Sequence, residues 1–405
     1  MAFRLNVFLG DQRVGQILET DSGNFFEYDV LWLRNGIDLS PFHLSLKPGV
    51  FGPKHWGTGR VLPGLFEDAL PDKFGMSVLM RRFEEAGHKR PSLVRLLAHL
   101  GNKTMGALTF EPSEGPIDKS DPVNIASAAR SAHHILSHQD NNERLDSSLM
   151  ISGATAGGAQ PKMLVAISDD GKCVCTGSDE IPPGFEPWIL KFAAGPDDNQ
   201  GKLEHAYFEI AEEAGILVPE TRLIQDEQGG HHFAIRRFDR RPTNPNSRIH
   251  LHTYASMQHL DFKSPENDYA HLLRTTYALT KNQRDVEEQF RRMVFNFLAH
   301  NRDDHAKNFS FLYDDSWRIS PAYDLVFCDN TLGRNWMLIG GRGHRIDRAH
   351  FQDIGRIFSI SAKRIDEILD SVKAAVGLWP SIADRHGLPD GYAAAIARSM
   401  PRLGE

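Results

Sequence analysis

The chain has 405 residues, 40% hydrophobic and 24% charged, which places it among globular proteins of two or three packed units. Its 46 basic and 53 acidic residues leave a net charge of −7. That makes it a poor counter-ion for a phosphate backbone and argues against direct nucleic-acid binding as its main function. The three cysteines, Cys173, Cys175 and Cys328, point to a reducing compartment. The opening MAFRLNVFLGDQRVGQ reads as strand, not signal peptide, and no run reaches the ~18 apolar residues of a membrane span. The expectation is a soluble, cytoplasmic protein.

In chain order, strand composition marks residues 3–9, 14–18 and 25–33, with turn residues between them. A Pro/Gly-rich stretch over 48–64 precedes helical patterns at 66–84 and 92–100, and 107–110 reads as a closing strand. The proline- and acid-rich EPSEGPIDKSDP (111–122) has no apolar period and is expected to be a linker. A helix is predicted over 124–137, then strands at 163–167, 173–176, 188–192, 221–224 and 233–235. Between the strands at 188–192 and 221–224, Leu203, Ala206, Tyr207, Ile210, Ala211 and Ala214 form one helical stripe closed by Gly215. Beyond about residue 266 the chain turns mainly helical. Val286, Phe290, Met293, Val294, Phe297 and Leu298 share one face, and a late helix runs from an N-cap at Ser361 to Gly377. The expected organisation is an N-terminal α+β domain over 1–112, a strand-rich lobe over 113–240 and a helical lobe over 241–405. Two such lobes suit a phosphotransferase with its site in the cleft between them.

The densest polar cluster, HNRDDHAKN (300–308), follows the apolar helix and precedes the strand-like FSFLY. A plain solvated loop is the ordinary reading of such a junction. However, Asp303 and Asn308 have the separation of the catalytic Asp and metal-binding Asn of a kinase loop, and Asn301-Arg302-Asp303 resembles H-R-D with Asn in place of His. In that chemistry Asp303 orients the attacking hydroxyl, and Asn308 holds Mg²⁺ through a hard oxygen. A second metal carboxylate is needed downstream, and Asp324 in ISPAYDLVF supplies it, although no glycine follows.

A cation for nucleotide phosphates is expected on WILKF (188–192). There Trp188, Leu190 and Phe192 share one strand face, and Lys191 lies with Ile189 on the other. An edge-strand lysine would look the same. Glu204, near the start of the next helix, is the candidate ion-pair partner for Lys191. Upstream, ISGATAGGAQPK (151–162) is glycine-rich enough for backbone N–H groups to approach phosphate oxygens. Gly153 and Gly158 have Walker A spacing, but Ala159 and Gln160 stand where Lys and Ser/Thr belong, so a P-loop NTPase is excluded. The histidine pairs 133–134, 231–232 and 250/252 lack metal-ligand companions and are expected on the surface or in strands. Cys173 and Cys175 should point to opposite faces of a strand, so no zinc site is read there.

With Gly-Gly-Ala-Gln-Pro-Lys (157–162), Trp-Ile-Leu-Lys-Phe (188–192), Arg-Phe-Asp-Arg (237–240) and Asp-Asp-His-Ala-Lys-Asn (303–308) in order, and LPGLFEDALPDKFG (62–75) ahead of them, the chain resembles the HipA family. These are the serine/threonine-kinase toxins of bacterial HipBA-type toxin–antitoxin modules. The resemblance implies an α+β protein with a two-lobed, protein-kinase-like fold related to the phosphoinositide 3/4-kinases, a mainly helical C-lobe and a small α/β N-terminal domain. It implies ATP- and Mg²⁺-dependent phosphorylation of a protein hydroxyl on a translation component such as an aminoacyl-tRNA synthetase, and a small helix-turn-helix antitoxin of HipB type that makes any DNA contact.

Carried over by position, Lys191 would hold phosphates, Asp303 would be the base, and Asn308 and Asp324 would bind Mg²⁺. His305 and Lys307 would flank the transferred phosphoryl group. Ala154, Thr155, Ala156, Gly157 and Gly158 would line the nucleotide loop, and Arg236, Arg237 and Phe238 would form the adenine hinge. Family members often carry Glu where this chain has Arg236. Thr155 and Ser152 are the candidates for autophosphorylation. Two rival readings stay open: a small-molecule kinase with a comparable Asp–Asn–Asp set, and a non-catalytic nucleotide-binding co-repressor acting through its antitoxin. Metal-dependent phosphohydrolysis is weaker, for want of separated His and Asp ligands.

Overall fold

Leu5 and Val7 are fully buried while their neighbours along β1 (Phe3–Leu9) are not, the alternation of a strand with one face on the core. The computed structural model describes residues 2–57, 59–87, 90–137, 145–153 and 158–403. It pairs β1 antiparallel with β2 (Gln12–Thr20), β2 with β3 (Gly23–Tyr28), and β3 with the short β4 (Val50–Phe51). The other edge of this sheet is β5 (Leu108–Glu111), paired with β1.

The strand predicted over 25–33 stops at Tyr28. Asp29 takes an extended conformation and accepts the Leu31 N–H, which starts α1 (Val30–Asn35) instead; capping outweighs the β-branched and aromatic composition there. Three helical segments follow: α2 (Pro53–Trp56), α3 (Gly64–Glu67) and α4 (Lys73–Glu85). The single helix predicted over 66–84 is thus broken, because Pro71 removes a donor and crowds the preceding turn. The helix predicted over 92–100 forms as α5 (Leu93–Leu100), and Ser92 caps it by accepting the Arg95 N–H.

Next come α6 (Ile125–Ser137) and α7 (Ser147–Ser152), then a second sheet of β6 (Lys162–Ser168), β7 (Val174–Thr176), β8 (Phe185–Lys191), β9 (Thr221–Gln225) and β10 (His231–Arg236), in the spatial order β7-β6-β8-β10-β9. Phe74, Val78 and Leu79 of α4 and Ala128 and Ala132 of α6 pack on Met163, Val165, Trp188, Leu190 and Phe192. That contact covers one face of β6 and β8 and leaves Lys191 on the other. A hairpin of β11 (Arg240–Arg241) and β12 (Asn244–Arg248) and the strand β13 (His250–Thr253) follow.

The stretch expected to be a linker is stitched down. Asp118 is buried, and its carboxylate accepts bonds from the Ser178 N–H and hydroxyl and from the Thr176 and Ser152 hydroxyls. Burial would raise its pKa, but those donors hold it below the usual carboxylate range. His232, His250 and His252, expected on surfaces or strands, lie in strands and are buried.

Met1–Asp198, Ile224–His252 and Ser256–His259 form one compact unit. The other comprises Asn199–Leu223, Thr253–Ala255 and Leu260–Glu405. It contains α8 (Gln200–Glu213), α10 (Tyr269–Thr280), α11 (Gln283–Leu298), the antiparallel hairpin β14 (Ser310–Asp314) and β15 (Ser316–Ile319), then α12 (Arg348–Ile357), α13 (Ala362–Gly377), α14 (Trp379–Arg385) and α15 (Asp390–Ser399). The short α9 (Tyr254–Met257) precedes α10. Gly215, at φ +74°, ends α8 as predicted, and Ser361 caps α13. The predicted stripe of α11 is buried through Val286, Phe290, Met293, Val294 and Leu298. Among the described residues no helix is long and apolar enough to cross a membrane.

Gly64 tests the packing of the first unit. Its N–H donates to His259 Nε2 at 3.0 Å, and a Cβ there would overlap the Ser256 carbonyl. Gly64→Ala is expected to lower stability by about 3 kcal/mol in urea titration, whereas Leu31→Ala at an exposed position should stay within about 0.5 kcal/mol of the parent.

Candidate active site

The polar loop begins where α11 runs out of helix. Ala299 closes α11, and His300 adopts φ +56°, turning the chain so that Asn301 pairs in parallel with Cys328. The Cys328 N–H donates to the His300 carbonyl and the Arg302 N–H to the Cys328 carbonyl, both at 3.2 Å. Arg302 also bonds Asp329 at 2.6 Å, and Asn330 Nδ2 donates to the Arg302 carbonyl at 2.6 Å.

What anchors the loop is Asp304, not Asp303. Asp304 is 1% exposed. It accepts the Tyr269 hydroxyl (2.6 Å), Asn335 Nδ2 (3.0 Å) and the Trp336 N–H (2.6 Å). The Tyr269 oxygen in turn accepts Asn296 Nδ2 from α11, and Asn296 Oδ1 accepts Asn301 Nδ2. One connected set of side chains therefore joins α10, α11, the loop and residues 335–336. Burial pushes the Asp304 carboxyl up to about 6, although its three donors pull the other way.

The second half of the loop is tied down by further hydrogen bonds. Asn308 Nδ2 donates to the Asp303 carbonyl at 2.8 Å, which commits the amide nitrogen, so that a cation held here would meet Oδ1. The Tyr323 hydroxyl donates to the Lys307 carbonyl at 2.7 Å and meets Ser310 Oγ at 2.6 Å. That tie draws the segment carrying Asp324 against the loop carrying Asn308. Asp324 itself adopts φ +57°, a left-handed conformation that is uncommon outside glycine and recurs at functional sites. Cys328 reports the same crowding of acids: burial, followed by the charges of Asp303, Asp329, Asp304 and Asp324, pushes its thiol up to about 11. Beside the loop, the Lys307 ammonium lies 5.0 Å from the Phe262 ring centre, and the His305 ring meets Phe262 edge-on at 5.2 Å.

An amide oxygen and a carboxylate are hard donors of the kind Mg²⁺ takes. Among the described residues no group of three or more His, Cys, Asp or Glu forms a metal cage. A partial donor set of this kind suits an ion that completes its shell with phosphate oxygens and water.

In the first unit Lys191 ends β8 and is 6% exposed. Its cross-strand neighbours are Phe233 on β10 and Lys162 on β6, and its ammonium lies 5.8 Å from the Phe233 ring centre. Two buried lysines thus share one row of the sheet face opposite the core. Just beyond, the Ala193 N–H donates to His232 Nδ1 at 3.0 Å, and His232 Nε2 meets Asp226 Oδ2 at 3.1 Å. Because Nδ1 accepts, Nε2 carries the proton, and the pair fixes the backbone that follows Lys191.

Arg237 and Asp239 form a bidentate pair (2.9 and 2.8 Å), and Asp239 also takes Arg240 and the Gly106 N–H. Arg236 pairs with Glu186 across strands, and the Arg237 N–H is spent on the Pro187 carbonyl at 2.9 Å.

Of the other sequence-predicted residues, Gly158 is described, whereas Ala154, Thr155, Ala156 and Gly157 lie outside the described residues. Ser152 is fully enclosed, its hydroxyl donating to Asp118 at 3.2 Å. Glu204 is buried on α8 in the second unit. Sequence reasoning missed Lys162, which the argument applied to Lys191 would have found, since KMLVAIS is equally an apolar strand holding a lysine. It also missed Asp304, Tyr269, Asn296 and Asn301, whose partnership no local spacing announces.

The α+β fold and this loop define a HipA-like protein. A sequence model of the HipA-like C-terminal domain matches residues 154–379, more than half of the chain, and one of the HipA N-terminal domain matches residues 5–111. The chain belongs to the HipA family. Over 300 residues it is 29% identical to a Sinorhizobium fredii protein named "Putative kinase Y4dM", covering 70% of this chain and 67% of that one. A second S. fredii protein, "Putative kinase Y4mE", is 25% identical over 350 residues, covering 80% of this chain and 76% of the relative. Among solved structures, HipA of Shewanella oneidensis, in complex with HipB and operator DNA, superposes with a TM-score of 0.68 at 18% identity, covering 99% of this chain and 92% of that one. At that identity the likeness speaks for the fold.

Two outcomes follow from the buried charges. Asp239→Asn leaves Arg237 and Arg240 uncompensated and should cost about 3 kcal/mol or more in chemical denaturation. For Asp304 the folded-state pKa is raised. The native state therefore binds a proton that the unfolded chain releases between about pH 6 and pH 4, and this contribution to stability grows as the pH falls through that window. The stability gap between wild type and Asp304→Asn should widen from pH 7 to pH 4.5; a gap independent of pH would refute the assignment.

Proposed function

We propose that the chain is an ATP- and Mg²⁺-dependent serine/threonine protein kinase of the toxin–antitoxin type. The observation that carries this reading is the bracing of the 300–308 loop. Asp304 locks it from behind, Asn308 is bonded to the Asp303 carbonyl, and Tyr323 ties the Asp324 segment to Lys307. Phosphoryl transfer requires an acid, an amide and an acid, and Asp303, Asn308 and Asp324 would supply them. The names of the relatives support the reading as well.

In this reading the substrate hydroxyl attacks the γ-phosphorus, the bond to the β-phosphate oxygen breaks, and ADP leaves. Asp303 orients the hydroxyl and takes its proton. Lys191, supported by Glu204, holds phosphate oxygens, and His305 and Lys307 add positive charge beside the transferred group. Mg²⁺, held by Asn308 and Asp324, would neutralise charge on the phosphates. The adenine would bond backbone groups of Arg236–Phe238; with the Arg237 N–H engaged elsewhere, the flanking residues are left for it. The two lobes would be those of a kinase related to the phosphoinositide 3/4-kinases. The enclosure of Ser152 favours Thr155 over Ser152 as the residue that becomes autophosphorylated in the nucleotide loop spanning Ala154–Gly158. The partner would be a small helix-turn-helix antitoxin of HipB type that carries the DNA contact, and the target a translation component such as an aminoacyl-tRNA synthetase.

Incubation of the purified chain with labelled ATP, Mg²⁺ and cell extract checks the proposal. Wild type should label a protein band, and Asp303→Asn should lower that labelling about 100-fold or more with its thermal transition unchanged. Labelled metabolites without labelled protein would favour a small-molecule kinase. Growth arrest that survives Asp303→Asn would favour the non-catalytic co-repressor.

A further inference from the structure

The LPGLFEDALPDKFG stretch contains a carboxylate with an unusual employment. Asp72 occupies the N-cap position of α4, yet its side chain accepts none of the helix's first N–H groups, the ordinary use of an Asp at that place. Instead Asp72 Oδ2 accepts the Gly158 N–H at 2.9 Å, and the Phe74 N–H points back at the Gly158 carbonyl at 3.4 Å. Phe74 is fully buried in the same apolar cluster as Trp188 and Leu190, so this brace stands on rigid ground. Gly158 needs it. Its φ is +104°, and a Cβ at that position would overlap the Lys162 ammonium. Lys162 in turn lies directly across from Lys191.

We propose that Asp72 is a positioning residue through which the N-terminal domain sets the nucleotide affinity of the following domain. By holding Gly158 in a conformation closed to other residues, it fixes where Lys162 enters the sheet beside Lys191. The proposal rests on the nucleotide reading above and adds to it a point of control. Residues 5–111 meet Gly158, four residues before Lys162, through this charge-assisted hydrogen bond and the Phe74 contact beside it, so anything that shifts the start of α4 changes how well ATP is held. The physical basis is that a carboxylate receiving a backbone N–H makes a bond roughly twice as strong as a neutral pair, and that losing it frees a glycine with wide conformational choice.

The test uses the full chain, a fluorescent ATP analogue with Mg²⁺, and two substitutions that separate the brace from the helix start. Asp72→Ser keeps a residue suited to the start of α4 but is too short to span to Gly158; Asp72→Asn keeps an oxygen at the right reach. Asp72→Ser should raise Kd for the analogue about tenfold, with KM for ATP rising in step and kcat moving by less than about twofold. Asp72→Asn should restore binding to within about threefold of wild type. Gly158→Ala disrupts the same contact from the other side, so adding Asp72→Ser to it should cost nothing further. The proposal is overturned if wild type binds and Asp72→Ser binds equally well, if Asn fails as badly as Ser, or if the double variant shows additive losses. A wild type that does not bind the analogue at all would instead bring down the nucleotide reading, and this proposal with it.

Discussion

Everything in the second unit's polar loop depends on a carboxylate enclosed behind it. Asp304 is removed from water and surrounded by Tyr269, Asn335 and the Trp336 N–H. Burying that charge is costly unless each oxygen is occupied, so the donors must arrive from the correct elements or the loop has no stable arrangement. The cost becomes specificity of shape. Asp303, one residue earlier, inherits its backbone position from a neighbour that cannot move.

The first unit uses the same device twice. Asp239 is fully buried; burial would raise its pKa, yet the adjacent Arg237 and Arg240 more than offset that and hold it well below the ordinary carboxylate range. Asp118 gathers donors from two separate stretches of chain, 176–178 and the end of α7. In both places a short polar segment without helix or strand is made rigid by a single anion. The acidic, proline-rich stretch after β5 looks like a spacer for lack of an apolar period, yet Asp118 makes it part of the wall beneath α7.

This explains which parts of the protein were legible from its sequence. Strands such as Phe3–Leu9 and helices such as α11 announce themselves because burial imposes a period of two or 3.6 on neighbouring residues. The cluster at 300–308 is visible for a related reason, since acid, amide and base types crowd into one short window. The Asp304–Tyr269–Asn296–Asn301 set is not visible, because its members are joined through space across α10 and α11. The end of β3 at Tyr28 and the break before α4 were misread where one capping Asp or one proline outweighed the composition of a whole window. Lys162 could have been found with the rule that found Lys191.

Asp324 carries a last implication, for the paths open to mutation. Its left-handed backbone angle is tolerated cheaply by glycine and asparagine, yet neither brings a negative charge. Glutamate keeps the charge but adds a methylene and suits the angle less well. The position is thus pinched between a backbone that favours a few small residues and a proposed ligand role that favours acids. Aspartate is where the two sets overlap, which makes this residue far less free to drift than an exposed carboxylate such as Asp329.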